Sequence, residues 1–277
     1  MKADCHMHMI LDGYEWKSAI ARHKERPDED FIHSVLKIYR EKGYTYLRDC
    51  GDRWNAGKRA RTLAKDYGIT YRTPLAPLCK EDHYGAFIGL TWRTLKDYAA
   101  LVEKIKAEGG DFIKIMISGL MDFDRFGVLT EEGLSALEIK ELIHIAHSEG
   151  MAVSAHANGA KTVLAAAEAG IDSVEHGAYL NDEALAAMTE AGTVWVPTLS
   201  TIGNLRGKGR FSEKDVCAIL ASAQENLSHY RGLVAPGTDA GAWAVPHGSE
   251  TEETLLREAG ITQDRLTTGT AMIMEKF

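Results

Sequence analysis

The chain has 277 residues, 45% of them hydrophobic, and 40 acidic against 32 basic side chains give a formal charge of -8 at pH 7. That apolar content suffices for a large core and excludes a disordered chain, while the acidic balance argues against a nucleic-acid surface. No apolar run reaches the roughly 18 residues of a membrane span. The four cysteines (Cys5, Cys50, Cys79, Cys217) lack the spacing of a disulfide framework, so a soluble, cytoplasmic protein is expected.

A first strand is predicted over 3–10, where alternation puts His6 and His8 on one face and Cys5, Met7 and Met9 on the other. A helix follows Pro27 and stops at Gly43. YTYLRDCG (44–51) reads as strand two, followed by a basic helix from about Asn55 to Tyr67. ITYRTPLAPL (69–78) is the third strand, with a helix over 94–110 after it. DFIKIMISG (111–119) leads, after an insertion, into a helix over 134–150. MAVSAHANG (151–159) precedes a helix over 160–170, and IDSVEHGAYL (171–180) one over 181–192. TVWVPTLST (193–201) precedes a long helix across 212–231. LVAPGTDAG (233–241) is the eighth strand, and helical segments fill the rest. Eight strands alternating with helices predict an α/β fold, a (β/α)₈ TIM barrel spanning 1–277 as a single domain. A doubly wound sheet is disfavoured because no glycine-rich loop follows strand one.

Active sites of such barrels lie at the C-terminal ends of the strands. Those ends carry His6, His8, Lys114, His156, His176 and Asp239. In strand four Ile113, Ile115 and Ile117 share the face toward the helices, which points Lys114 into the barrel. A buried, unpaired ammonium is unfavourable. Reaction of the neutral amine with CO₂ would convert it to a carbamate, an anion able to bridge two cations.

The ordered set DCHMHMI, FIKIMISG, VSAHANG, SVEHG and PGTDAG resembles the amidohydrolase superfamily, more narrowly its prolidase-like and imidazolonepropionase-like metal-dependent hydrolases. The resemblance runs through nearly the whole barrel, one motif per strand. It implies two divalent ions, with Zn²⁺ suited to the nitrogen and oxygen donors. His6, His8 and Asp239 would hold one ion and His156 and His176 the other, with carboxylated Lys114 bridging. The implied reaction is hydrolysis of an amide-type C–N bond in a small molecule: a dipeptide, an N-acyl amino acid or a cyclic amide. Hydroxide between the ions would attack, with Asp239 moving the proton. Relatives carry a small accessory β-sandwich that this chain is expected to lack, which leaves a homo-oligomer open. The alternatives are a phosphotriesterase- or lactonase-like esterase and a degenerate, non-catalytic metal-binding barrel.

Further expectations concern the loops. Tyr179 is a candidate oxyanion donor, and Tyr179, Arg48 and His247 are candidate substrate contacts, with Asp49 beside Arg48 at the end of strand two. His144 and His147, three apart on a helix, lack a third ligand and are expected to play no part. His23, His33, His83 and His229 are expected at the surface.

Overall fold

The computed structural model describes residues 2–277. In chain order these form β1 (Lys2–Met7), α1 (Trp16–His23), α2 (Glu29–Glu41), β2 (Tyr44–Asp49), α3 (Ala56–Leu63), β3 (Thr70–Arg72), β4 (Leu78–Lys80), β5 (Leu90–Trp92), α4 (Leu95–Ala107) and β6 (Ile113–Met116). The second half forms α5 (Ala136–Ser148), β7 (Val153–Ala157), α6 (Ala160–Glu168), β8 (Ser173–His176), α7 (Asp182–Glu190), β9 (Val194–Val196), α8 (Ser200–Gly203), α9 (Glu213–His229), β10 (Leu233–Val234), α10 (Thr251–Glu258) and α11 (Gln263–Lys276).

The fold is α/β with parallel strands in two sheets, ordered β1-β2-β3 and β10-β9-β8-β7-β6-β4-β5. Backbone bonds link the sheets at both seams. On one side the Cys5 N–H donates to Pro236 O (2.8 Å) and Met7 bridges Ala240 in parallel; on the other the Asp111 N–H donates to Thr73 O (3.0 Å). The single strand expected over 69–78 is two, β3 and β4, because Pro74 and Pro77 have no N–H to give the ladder. β10 stops after two residues, just before Pro236, for the same reason.

Local chemistry starts the helices. Ser135 with Glu138 and Thr94 with Asp97 form reciprocal capping boxes at α5 and α4. α1 begins where the Glu15 carboxylate accepts from the Lys17 and Ser18 N–H groups. The two faces of β6 go where alternation sends them. Ile113, Ile115 and Ile117 join the apolar layer built by Val102, Ile105, Ile139 and Leu142 of α4 and α5. Phe112 faces the other way, into a cluster with Cys5, Tyr46, Val196 and Phe277. No helix among the described residues is long and apolar enough to cross a membrane.

α11 closes over β10 at Gly269, where an added Cβ would lie 2.0 Å from Val234 O. Backbone cannot yield as a side chain can, so Gly269→Ala is expected to destabilise by about 1–3 kcal/mol, measured as a lowered urea midpoint. An unchanged midpoint would mean that α11 is free to shift.

Candidate metal centre

The ends of β1, β6, β7 and β8 and the segment after β10 bring His6, His8, Lys114, His156, His176 and Asp239 to one cavity of about 860 Å³. The rings of His6 and His8 lie 5.4 Å apart, those of His6 and His176 5.0 Å, and those of His156 and His176 4.5 Å. Asp239 Oδ1 sits 3.1 Å from His8 Nε2 and 3.4 Å from His6 Nε2.

Two of these positions require unusual backbone. His176 has φ 68° and Asp239 φ 56°, the left-handed region that side chains other than glycine rarely enter. In β8, alternation sends Ser173 and Glu175 inward and would send His176 out. The left-handed turn at His176 and Gly177 instead swings the imidazole back over the mouth, and Trp195 Nε1 fixes it by donating to His176 O at 2.9 Å. Asp239 is held through its neighbours. The Asp4 carboxylate accepts from the Thr238 N–H (2.9 Å), the Thr238 hydroxyl (2.6 Å) and the Tyr39 hydroxyl (3.1 Å), and the Asp239 N–H donates to His6 O (2.7 Å).

Three histidines have one ring nitrogen engaged by protein and the other turned elsewhere. His6 Nδ1 meets Glu175 Oε2 at 2.6 Å, His156 Nε2 meets Gly119 O at 3.1 Å, and His176 Nδ1 meets Thr198 Oγ1 at 2.7 Å. Such outer partners fix the tautomer and leave the second nitrogen as a donor to a cation. Burial, with Lys114 adding to it, pushes His156 down to about 3, and burial with His156 holds His176 well below the ordinary imidazole range. Both are neutral at pH 7, the form that ligates. Burial by itself would raise Asp239, but His6 and His8 hold its carboxyl well below the usual range. His6 Nε2, Lys114 Nζ and Asp239 Oδ1 are buried without a hydrogen-bond partner. Donor atoms of His6, His176 and Asp239 lie within 4.8 Å of one another. Buried polar atoms left unpaired call for an explanation, and a cation between them satisfies all but the ammonium.

Glu175, absent from the expectations above, organises the layer beneath. Its Oε1 accepts from Arg48 Nη2 (2.7 Å), Ser154 Oγ (2.8 Å) and Ser173 Oγ (2.6 Å), while Arg48 Nε donates to Cys5 O (2.6 Å). Its sequence signal was a glutamate inside the buried SVEH strand. Tyr84 was missed too: its ring lies 4.8 Å from that of His156, in the wall of the cavity.

The three loop expectations are corrected. Arg48 is 1% exposed and lies behind Glu175, so no substrate reaches it. Tyr179, with φ 58°, turns its ring onto Phe126 at 5.5 Å, outside the cavity wall. His247 Nε2 donates to Leu11 O (2.9 Å) and its ring packs on Phe31 and Tyr39. Asp49 accepts from the Met9 N–H and the Thr73 hydroxyl and so braces the loop after β1. His23 is buried, not at the surface, and accepts from the Asp28 N–H; burial pushes it down to about 4. His33 and His83 are half-buried beside Tyr67 and Glu131, and His147 pairs with Asp172. His144 and His229 are exposed.

Removing one partner of a buried ion pair strands the other charge. Arg48→Met is therefore expected to destabilise by about 3–5 kcal/mol, read by chemical unfolding. A neutral result would show that Glu175 takes up a proton instead.

No family model matches the chain. Over 139 residues, 45% of this chain and 36% of the relative, it is 32% identical to an uncharacterised protein of Mycobacterium tuberculosis. Over 137 residues, 47% of this chain and 27% of the relative, it is 32% identical to ochratoxinase of Aspergillus niger. The matches thus span about a third of these curated relatives' length. Among solved structures it is similar to a Xaa-Pro dipeptidase with bound methionine, with TM-score 0.79 and 19% identity over 99% of this chain and 75% of that one. The A. niger ochratoxinase structure gives TM-score 0.73 and 21% identity over 98% and 68%. The chain shares the fold of these proteins over nearly its whole length.

Proposed function

We propose that this protein hydrolyses an amide-type C–N bond, using two divalent ions held at the mouth of a closed (β/α)₈ barrel. The seam bonds joining the two sheets support the closure. The observation that carries the proposal is the set of three histidines, His6, His156 and His176, each with one nitrogen engaged by protein, around the partnerless Lys114 Nζ and Asp239 Oδ1. His6, His8 and Asp239 would hold one ion, His156 and His176 the other, and Lys114, as its carbamate, would lie between. Zinc suits these donors. Ions held there would supply an acidified water near neutral pH and polarise a carbonyl. Asp239 accepts the nucleophile's proton and returns it to the leaving amine. Tyr84, whose ring lies 4.8 Å from that of His156 in the cavity wall, would offer its protonated hydroxyl to the substrate.

The walls speak to the substrate. Trp16, Phe87, Phe123, Phe211 and Trp243 make the cavity largely aromatic. Arg210 stacks on Phe211 and Trp243 at 5.2 and 4.4 Å, with no carboxylate partner among the described residues. The cavity's other rim charges are engaged, Asp122 by Arg125 and Glu15 by the start of α1. A substrate with a bulky apolar group and a carboxylate fits, which favours an N-acyl amino acid or a dipeptide over a cyclic amide. The names of the similar structures, Xaa-Pro dipeptidase, ochratoxinase and phenylurea hydrolase, agree with C–N hydrolysis. A cytoplasmic setting belongs to the same proposal and rests on four unpaired cysteines.

Metal analysis of protein purified without chelator is expected to give about two divalent ions per chain. A panel of N-acyl amino acids, dipeptides, lactones and a phosphotriester should show turnover of the amides. At most one ion after reconstitution with zinc and bicarbonate would sink the binuclear reading. Turnover of lactone or phosphotriester alone would replace the reaction.

A further inference from the structure

Cys50 stands immediately after β2, is 3% exposed, and is tied to β1 by its N–H, which donates to Met7 O at 2.9 Å. That bond places the residue alongside the HxH pair. The Cys50 sulfur and one ring nitrogen each of His6 and His8 lie within 4.8 Å of one another. A second observation is independent of the thiol: His6 Nε2 and His8 Nδ1 are buried and lack any hydrogen-bond partner, and His6 is 1% exposed. The other cysteines sit elsewhere. Cys5 is in the apolar cluster around Phe112, Cys79 Sγ donates to Leu90 O at 3.5 Å, and Cys217 is exposed.

We propose that Cys50 is a metal ligand, binding through its thiolate the same ion as His6 and His8. The inference rests on the metal-centre reading above and adds a sulfur donor to it. Ligation replaces the S–H bond by a sulfur–metal bond and releases one proton to solvent per chain. A sulfur donor shifts the site's preference toward zinc, cobalt and cadmium and away from magnesium and manganese, which favour all-oxygen sets.

Cobalt(II) reports sulfur ligation directly. In the full-length wild-type protein reconstituted with Co²⁺ and bicarbonate, visible d–d bands are expected together with a near-ultraviolet sulfur-to-cobalt charge-transfer band. Cys50→Ser should lose the charge-transfer band, keep d–d bands, and release the metal to a competing chelator with an affinity lowered at least about tenfold. Cys217→Ser should keep every band. X-ray absorption of the zinc-loaded wild type needs no variant, and it should show a sulfur neighbour at about 2.3 Å. Four results would overturn the assignment: d–d bands without charge transfer in the wild type, a charge-transfer band surviving in Cys50→Ser, a zinc shell of nitrogen and oxygen alone, or a wild type that takes up no cobalt. The last brings down the metal-centre reading as well, whereas the first three leave that reading intact and remove only the thiolate.

Discussion

Asp239→Asn is expected to leave the chain folded and to slow turnover by at least about a hundredfold, the usual scale for losing a general acid–base. Folding should survive because Asp239 has φ 56°, and asparagine enters the left-handed region more readily than most residues. The backbone bond from the Asp239 N–H to His6 O does not involve the side chain. An amide oxygen can still ligate weakly, so metal content should fall less than activity. What the amide cannot do is take a proton from water and deliver it to an amine. Asp239 is placed for that task by its carboxylate, which lies among His6, His8 and His176 in the cavity. The measurement is kcat alongside metal content in the same preparation. Near-normal kcat in a metal-loaded variant would reduce Asp239 to a ligand at most.

The residues that meet at the cavity were legible because they lie on or just after strands, one motif per strand, and alternation along a strand is a local rule. Lys114 among isoleucines is the clearest case: one face of four residues gave its direction. Where alternation is broken, it gives no direction: His176 was found through its motif, and Glu175 was missed. Glu175 and His176 are adjacent, so a regular strand would use one or the other; the left-handed turn at His176 brings both to the centre. Arg48 and Tyr179 lie within a few residues of site motifs, but chain proximity does not set direction. The short segments of the third strand follow from Pro74 and Pro77, which an apolar run masks. Cys50 depends on the register of β2 against β1, a tertiary fact seen in the bond from its N–H to Met7 O.

Lys114→Ala is expected to lose the second ion and most activity, with millimolar formate or acetate restoring part of both. Lys114 is 1% exposed, its Nζ has no hydrogen-bond partner, and it opens on the same cavity as four histidines and Asp239. An ammonium there would sit unpaired next to two cations. The neutral amine can add CO₂ and release a proton, leaving a carboxylate on the end of a side chain held by β6. Truncation to alanine removes both stem and carboxylate and leaves a gap of the right size for a free carboxylate. A small anion entering that gap supplies bridging oxygens but must itself be immobilised. Rescue should therefore be incomplete and should saturate with added anion. Chloride, with no two-oxygen bridge, should do less. Were Lys114 a cation that binds substrate, alkylamines rather than carboxylates would restore turnover. Either that pattern or a fully active Lys114→Ala would overturn the carbamate: the first would make Lys114 a substrate-binding ammonium, the second a buried amine without a part in the reaction.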